Sequence, residues 1–264
     1  MLSLGVLLDW AEQLAPRDLA EDWDHVGLMV GSRGWPVTKV WTALDVTEPL
    51  LRSAKEAGVD ALCVHHPLIF SPLAALTDET VPGRLALLAA RLGIGVIAAH
   101  TNLDAARGGV NDALAQRLGL ERVEPIPNFP MGRVGYLPCP MAPDAWMREA
   151  GRRLGTDWIR DIGPAPRVIR RAAVLGGSGA DAAEAAMACG ADVLLTGEIK
   201  YHDALCLAEK GAYCLECGHD ATERVVLEPW ARDLQNRANA LQYKIEIIAS
   251  PVCTSPYGSA RREG

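Results

Sequence analysis

Twice along the chain, a short strand-like run is followed by a helix that ends on glycine and then by another buried strand. That rhythm constrains the fold more than any other feature. In "VWTALDVTEPLLRSAKEAGVDALCVHHPLIF" the β-rich run Val40–Leu44 leads to Thr47, an N-cap residue, with Pro49 in the first helical turn. Leu50, Leu51, Ala54 and Ala57 give that helix one apolar face. Gly58 ends it, and "ALCV" follows as a buried strand, completing a βαβ unit. "LALLAARLG" then reads as a helix and "IGVIAAH" as a strand.

The segment from "AAVLGGSGADAAEAAMACGADVLL" to "WARDLQ" repeats the rhythm, with helices ending near Gly190 and Gly211 and strands at "DVLL" and "AYCLEC". Setting "EAGVDALCV" over "ACGADVLLT" aligns Gly58 with Gly190 and Asp60 with Asp192. "HTNLD" (100–104) and "HDATE" (219–223) share the pattern His-x-x-x-acid. The expectation is an α/β protein of two similar halves with mainly parallel sheets. Residues 1–125 together with 170–264 form the two halves of one metal-binding unit. Residues 126–169 form a Pro-rich connection, too short for a large inserted domain. The tail "TSPYGSARREG" is expected to be loop or disorder.

In parallel α/β sheets, ligands bind at the carboxyl ends of the strands. Four polar clusters follow expected strands: His65–His66, His100 to Asp104, Glu198 to His202, and His219 to Glu223. Of the chain's six histidines, only His25 lies elsewhere. His219 and Glu223 are four apart at a helix start and share a helical face. A capping box with Asp220 as N-cap and Glu223 at the third position competes for Glu223. The other histidine clusters favour the ligand role. Neighbouring strand residues point to opposite faces, so His65 and His66 suit two ions better than one, with Pro67 turning the backbone away. Asp104 is the natural bridging carboxylate. Imidazole and carboxylate donors without thiolate suit zinc, iron or manganese. His100 is a ligand, a neighbour of the ligands or an acid–base group, and Glu198 and His202 are candidate catalytic groups. "LGGSGA" (175–180) reads first as a tight turn, with anion binding as the alternative.

Composition narrows the classes further. The net charge is −7 and no basic stripe is present, which argues against nucleic-acid binding by phosphate neutralisation. No apolar run is long enough to cross a membrane. The N-terminal "MLSLGVLLDWAEQLAP" reads as an amphipathic helix of a cytoplasmic protein rather than a leader. Seven scattered cysteines fit reduced thiols. Cys214 and Cys217 form a CxxC with no second pair, and read as core.

The motifs "DWDHVGLMVGS" (22–32), "ALDVT" (43–47), "HHPLIF" (65–70), "AAHTNLDAARGGVND" (98–112), "TGEIKYHDAL" (196–205) and "GHDATER" (218–224) span nearly the whole chain. Their order and spacing resemble the Nif-three-like dinuclear metal-centre family, the GTP cyclohydrolase 1 type 2 homologs. The resemblance implies a Nif-three-like fold and a ring-shaped homohexamer. It also implies two divalent metal ions per subunit, at the strand carboxyl ends between the halves. His65, His66, Asp104, His219 and Glu223 are then the five ligands, the same residues favoured above. The implied function is a metal-dependent hydrolase acting on GTP or another phosphorylated small molecule. A non-catalytic metal-handling or scaffold ring is the alternative. His25 and Asp220 depart from the family pattern, which has asparagine and an aromatic residue there; neither is a ligand position. The chain resembles the family's short form, without the inserted domain that some members carry.

Overall fold

A computed structural model describes residues 1–257. The chain opens with β1 (Leu2–Ser3), α1 (Leu4–Leu14), β2 (Gly27–Val30), β3 (Pro36–Val37), β4 (Lys39–Ala43), α2 (Glu48–Glu56), β5 (Ala61–Val64), α3 (Val81–Leu92) and β6 (Gly95–Ala98). It continues through α4 (Thr101–Ala105), α5 (Val110–Leu118), β7 (Glu121–Ile126), β8 (Phe129–Met141), α6 (Pro143–Leu154) and β9 (Arg160–Ile162). The last stretch holds β10 (Ile169–Ser178), α7 (Ala183–Ala188), β11 (Val193–Glu198), α8 (Tyr201–Glu209), β12 (Cys214–Glu216), α9 (His219–Glu223), α10 (Leu227–Ala240) and β13 (Glu246–Ala249). Two compact units result. The first takes Met1–Asp9, His25–Ala99 and the chain from Ala231 on; the second takes Trp10–Asp24 and His100–Trp230.

The first unit is built on a five-stranded sheet in the order β13-β4-β5-β6-β2. Its first four strands are parallel, and β2 runs antiparallel to β6. The helix between β4 and β5 starts as the sequence indicates: Thr47 Oγ1 accepts the Leu50 N–H at 3.2 Å, with proline in the first turn. Gly58 follows with φ +71°, a left-handed conformation that suits glycine at a helix end. α3 begins earlier than the apolar run suggested, because Thr80 caps it by accepting the Gly83 N–H. Leu50, Leu51, Leu62, Val64 and Ile94 sit in one apolar core. Each fully buried leucine or isoleucine contributes about 1.5–3 kcal/mol of transfer free energy.

The second unit carries a six-stranded sheet in the order β7-β8-β10-β11-β12-β9. Only β10-β11-β12 run parallel. Of the ten strand pairings among the described residues, five are antiparallel, so the sheets are mixed rather than mainly parallel. The expected connection over 126–169 supplies much of the difference, since it builds β8, α6 and β9. Val134 and Leu137 of β8 are buried while Pro138 and Pro140 are exposed. Prolines lacking a donor are tolerated where a strand end meets solvent, and they hid this strand in the sequence.

A parallel trio recurs in both units, β4-β5-β6 and β10-β11-β12. The aligned aspartates do the same work in each. Asp60 Oδ2 accepts the backbone N–H groups of Thr38 and Lys39 at 2.7 and 3.1 Å. Asp192 Oδ2 accepts those of Arg170 and Arg171 at 2.8 and 2.9 Å. Each trio also has an antiparallel strand on its third member, β2 on β6 and β9 on β12. The His-x-x-x-acid match, in contrast, is out of register by one residue. Ala99 N–H bonds the Val64 carbonyl and Cys217 N–H the Thr196 carbonyl, so His100 corresponds to Gly218 and not to His219. His100 and Gly218 are the N-cap residues of α4 and α9.

The described part of the expected tail, Thr254–Tyr257, carries no helix or strand. The rest of "TSPYGSARREG" lies outside the described residues. Among the described residues, no helix is long and apolar enough to cross a membrane.

Candidate metal centre

The first unit presents two imidazoles just past β5. Backbone pairing continues beyond the strand: His65 N–H bonds the Ala43 carbonyl at 3.0 Å and His66 N–H the Leu44 carbonyl at 2.8 Å. His65 is fully buried, and its Nδ1 lies 3.0 Å from the Ala99 carbonyl oxygen. A carbonyl only accepts, so it is Nδ1 that donates in this contact. His66 repeats the arrangement with a carboxylate, its Nδ1 standing 2.7 Å from Asp45 Oδ1. The other Asp45 oxygen accepts the Thr254 hydroxyl at 2.9 Å. The two rings sit 4.9 Å apart, tilted by 45°.

The second unit presents three donors on short helices. His219 and Glu223, one helical turn apart on α9, bring Nε2 and Oε1 to 3.1 Å. His219 Nδ1 is 3.5 Å from Glu198 Oε2. Asp104, on α4, offers a carboxylate oxygen within 4.8 Å of one from Glu223, and both residues are buried. Two buried carboxylates this close disfavour double ionisation unless positive charge joins them. The capping box is not formed, because Gly218 is the N-cap, and Asp220 lies 3.8 Å from Arg224 instead.

Several polar groups hold these helices to β10 and β11. Asn111 accepts the Gly176 N–H at 2.8 Å and donates to the Asp104 carbonyl at 3.2 Å. Thr222 Oγ1 accepts the Gly177 N–H at 3.1 Å. The buried Arg133 guanidinium donates to the Ala105 and Ala106 carbonyls at the end of α4 and pairs with Asp112. The glycines of "LGGSGA" make room for the donors: a Cβ on Gly177 would stand 2.3 Å from Glu223 Oε1 and 3.2 Å from His219 Nε2. Leu175–Ser178 still belong to β10, where its register with β11 shifts, and a 3-10 turn, Ala180–Ala182, leads from Gly179 directly into α7 at Ala183, so the loop does run into a helix start.

Three tentative positions have different surroundings. His100 Nδ1 lies 3.0 Å from Asp24 Oδ1, and Asp24 also accepts from the Thr101 N–H and hydroxyl. Burial opposes ionisation of Asp24, yet the hydrogen bonds from His100 and Thr101 override it and hold the carboxyl at about 2. Glu198 is half exposed at the end of β11. His202 is exposed in the first turn of α8, edge-on to the Tyr201 ring at 5.4 Å. Asp24 and Asp45 were not singled out from the sequence. Both lie inside motifs quoted there, and Asp45 directly follows a strand end, which was the available signal.

Residues 3–256 of the chain match the profile of the Duf34/NIF3 (NGG1p interacting factor 3) family. It belongs to that family. A GTP cyclohydrolase 1 type 2 homolog of Clostridium perfringens is 33% identical over 262 residues, which cover 97% of this chain and 99% of the relative. A Staphylococcus aureus hypothetical protein of known crystal structure superposes with a TM-score of 0.91 at 28% identity, covering 97% of this chain and 99% of its own. Reduced HcgD from Methanocaldococcus jannaschii gives a TM-score of 0.79 at 27% identity, over 95% of this chain and 98% of its own.

The donors of this NIF3 family member fit divalent ions. They are imidazole nitrogens and carboxylate oxygens, which suit zinc, iron or manganese. The histidines of the first unit have their second nitrogens fixed, a feature typical of metal-ligating imidazoles. Thiolates are not in the set. Burial pushes the Cys214 thiol up to about 11, and burial with the nearby Glu216 charge pushes Cys217 up to about 12. Both cysteines are core residues, as their sequence context suggested, whereas Cys139, Cys206 and Cys253 are exposed.

Proposed function

We propose that His65, His66, Asp104, His219 and Glu223 together hold two divalent ions, and that the protein is a metal-dependent hydrolase of a phosphorylated small molecule, with GTP the first candidate. The single observation that carries the metal reading is that each histidine of the pair has an oxygen acceptor set against its Nδ1, the arrangement typical of metal-ligating imidazoles. The Ala99 carbonyl stands 3.0 Å from His65 Nδ1 and Asp45 Oδ1 2.7 Å from His66 Nδ1, which orients each ring and makes Nε2 its candidate ligand atom. Metal ions held there supply Lewis acidity at neutral pH. The printed names of relatives such as the Clostridium perfringens protein support GTP as the first substrate to try.

Within this reading the chain's own groups divide the remaining work. Asp104 and Glu223 bring negative charge that the ions neutralise. Glu198 steadies His219 through Nδ1. His100 moves a proton at Nε2, with Asp24 holding Nδ1 and stabilising the charged ring, as a buried aspartate does for a catalytic histidine. The family relationship supports a homohexamer, and the reduced cysteines support a cytoplasmic setting.

The test starts with elemental analysis of protein purified without added metal. Assays for formate and phosphate release from GTP and related nucleotides follow, and light scattering reports the assembly. Metal-dependent release supports the hydrolase. Metal without turnover on any nucleotide overturns the hydrolase in favour of metal handling, and absence of metal uptake sinks both. His100→Gln, Glu198→Gln and His202→Ala, assayed with metal bound, apportion the proton traffic. Loss of a true acid–base group costs about 10²–10⁴ in rate.

A further inference from the structure

β13 lies parallel to β4, pairing Glu246 with Lys39 and Ala249 with Thr42. Parallel strands end at the same edge of the sheet. The chain leaving β13 therefore emerges where β4 leads into Asp45. The pairing is carried one residue further by the Ser250 N–H bonding the Thr42 carbonyl at 2.8 Å. Ser250 Oγ then accepts the Val252 N–H at 3.1 Å, and Val252 packs against the apolar core of this unit. Two residues on, the Thr254 hydroxyl donates to Asp45 Oδ2 at 2.9 Å. Asp45 Oδ1 holds His66 Nδ1 at 2.7 Å.

We propose that residues 250–254 form a strap on the metal centre, in which Thr254 is a positioning residue for His66 acting through Asp45. This rests on the metal reading above. A carboxylate that receives only an imidazole N–H can swing about its own side-chain torsions. One fixed at both oxygens presents Oδ1 in a single direction, and the ring it holds is aimed accordingly. The hydroxyl of Thr254 thereby reaches the Nε2 of His66 through one intervening carboxylate. The ligand served is a divalent cation. The order in which the effect weakens is His66, then Asp45, then Thr254.

The experiment loads the full-length protein with Co²⁺ and follows its visible absorption and its loss to excess EDTA. The variants are Asp45→Asn, Thr254→Val, Thr254→Ala, Thr254→Ser and the double variant Asp45→Asn/Thr254→Val, with urea midpoints as a fold control. Loss of an outer hydrogen-bond partner costs about 10–100-fold in metal affinity, which is the expectation for Asp45→Asn. Thr254→Val and Thr254→Ala are expected to weaken Co²⁺ retention by about 3–10-fold, less than that range because they act one bond further out. Thr254→Ser restores retention and the spectrum, and the double variant loses no more than Asp45→Asn alone. Retention by both Thr254→Val and Thr254→Ala equal to wild type overturns the strap, as do additive losses in the double variant. A wild-type protein that takes up no Co²⁺ overturns the metal reading itself, and the two failures are thus distinguishable.

Discussion

Gly177 gives Glu223 the space it occupies. A Cβ at Gly177 would stand 2.3 Å from Glu223 Oε1, and its φ of +67° is one that side chains rarely adopt. Gly177→Ala therefore meets both a backbone and a steric cost. We expect a loss of about 1–3 kcal/mol in urea unfolding, from the left-handed conformation and the displaced carboxylate together. Metal content should fall in the same variant. A Gly177→Ala protein with wild-type stability and metal content would refute this account of the glycine.

The donor assignment predicts about two divalent ions per chain in the purified protein. His66→Ala and Asp104→Ala each leave a folded chain with less metal. Elemental analysis beside circular dichroism separates loss of metal from loss of fold. Unchanged metal in both variants would remove them from the ligand set.

Acid stability follows from Asp24. Its carboxyl is held at about 2 against an ordinary 3.8. A lowered folded-state value gives stability that is complete above about pH 4 and is lost as the pH falls toward 2. Asp24→Asn is expected to lower stability at neutral pH by about 1–2 kcal/mol, allowing for screening, and to flatten the dependence between pH 4 and 2. Urea midpoints measured across that window decide it; parallel wild-type and variant curves would contradict the assignment.

Asp60 and Asp192 give a matched pair of tests. Each accepts two backbone N–H groups at the start of the strand preceding its own. Asp60→Ala and Asp192→Ala should each cost about 1.5–3 kcal/mol, the range for hydrogen bonds to charged groups. Chemical denaturation is the measurement, and a neutral effect at either position would break the equivalence.

That equivalence was legible in the sequence, because it rests on local chemistry that every βαβ unit repeats. Thr47, Pro49 and Gly58 announced α2, and the histidine clusters announced the candidate donors. The antiparallel strands were not legible. β2 and β9 are short edge strands, and the prolines of β8 mask its buried stretch. The one-residue slip between His100 and His219 was also hidden, since spacing within a motif says nothing of where the preceding strand lets go. The Thr254 contact with Asp45 joins residues 209 apart in sequence, beyond any local pattern. Asp24 meets His100 across 76 residues, for the same reason out of sight.

The pairing of β13 with β4 has a consequence for biosynthesis. On an elongating chain, β4 is complete some 200 residues before its outer neighbour exists, and until then that side of the five-stranded sheet is an unpaired edge. Closing so long a loop adds little free energy, since the entropy grows only logarithmically with length, but it delays the step. The first unit thus reaches its final form only after the second has been fully synthesised. During translation the nascent protein carries a bare strand edge on the side of β4 away from the histidine pair, the kind of transiently unpaired edge that makes incomplete chains prone to aggregate.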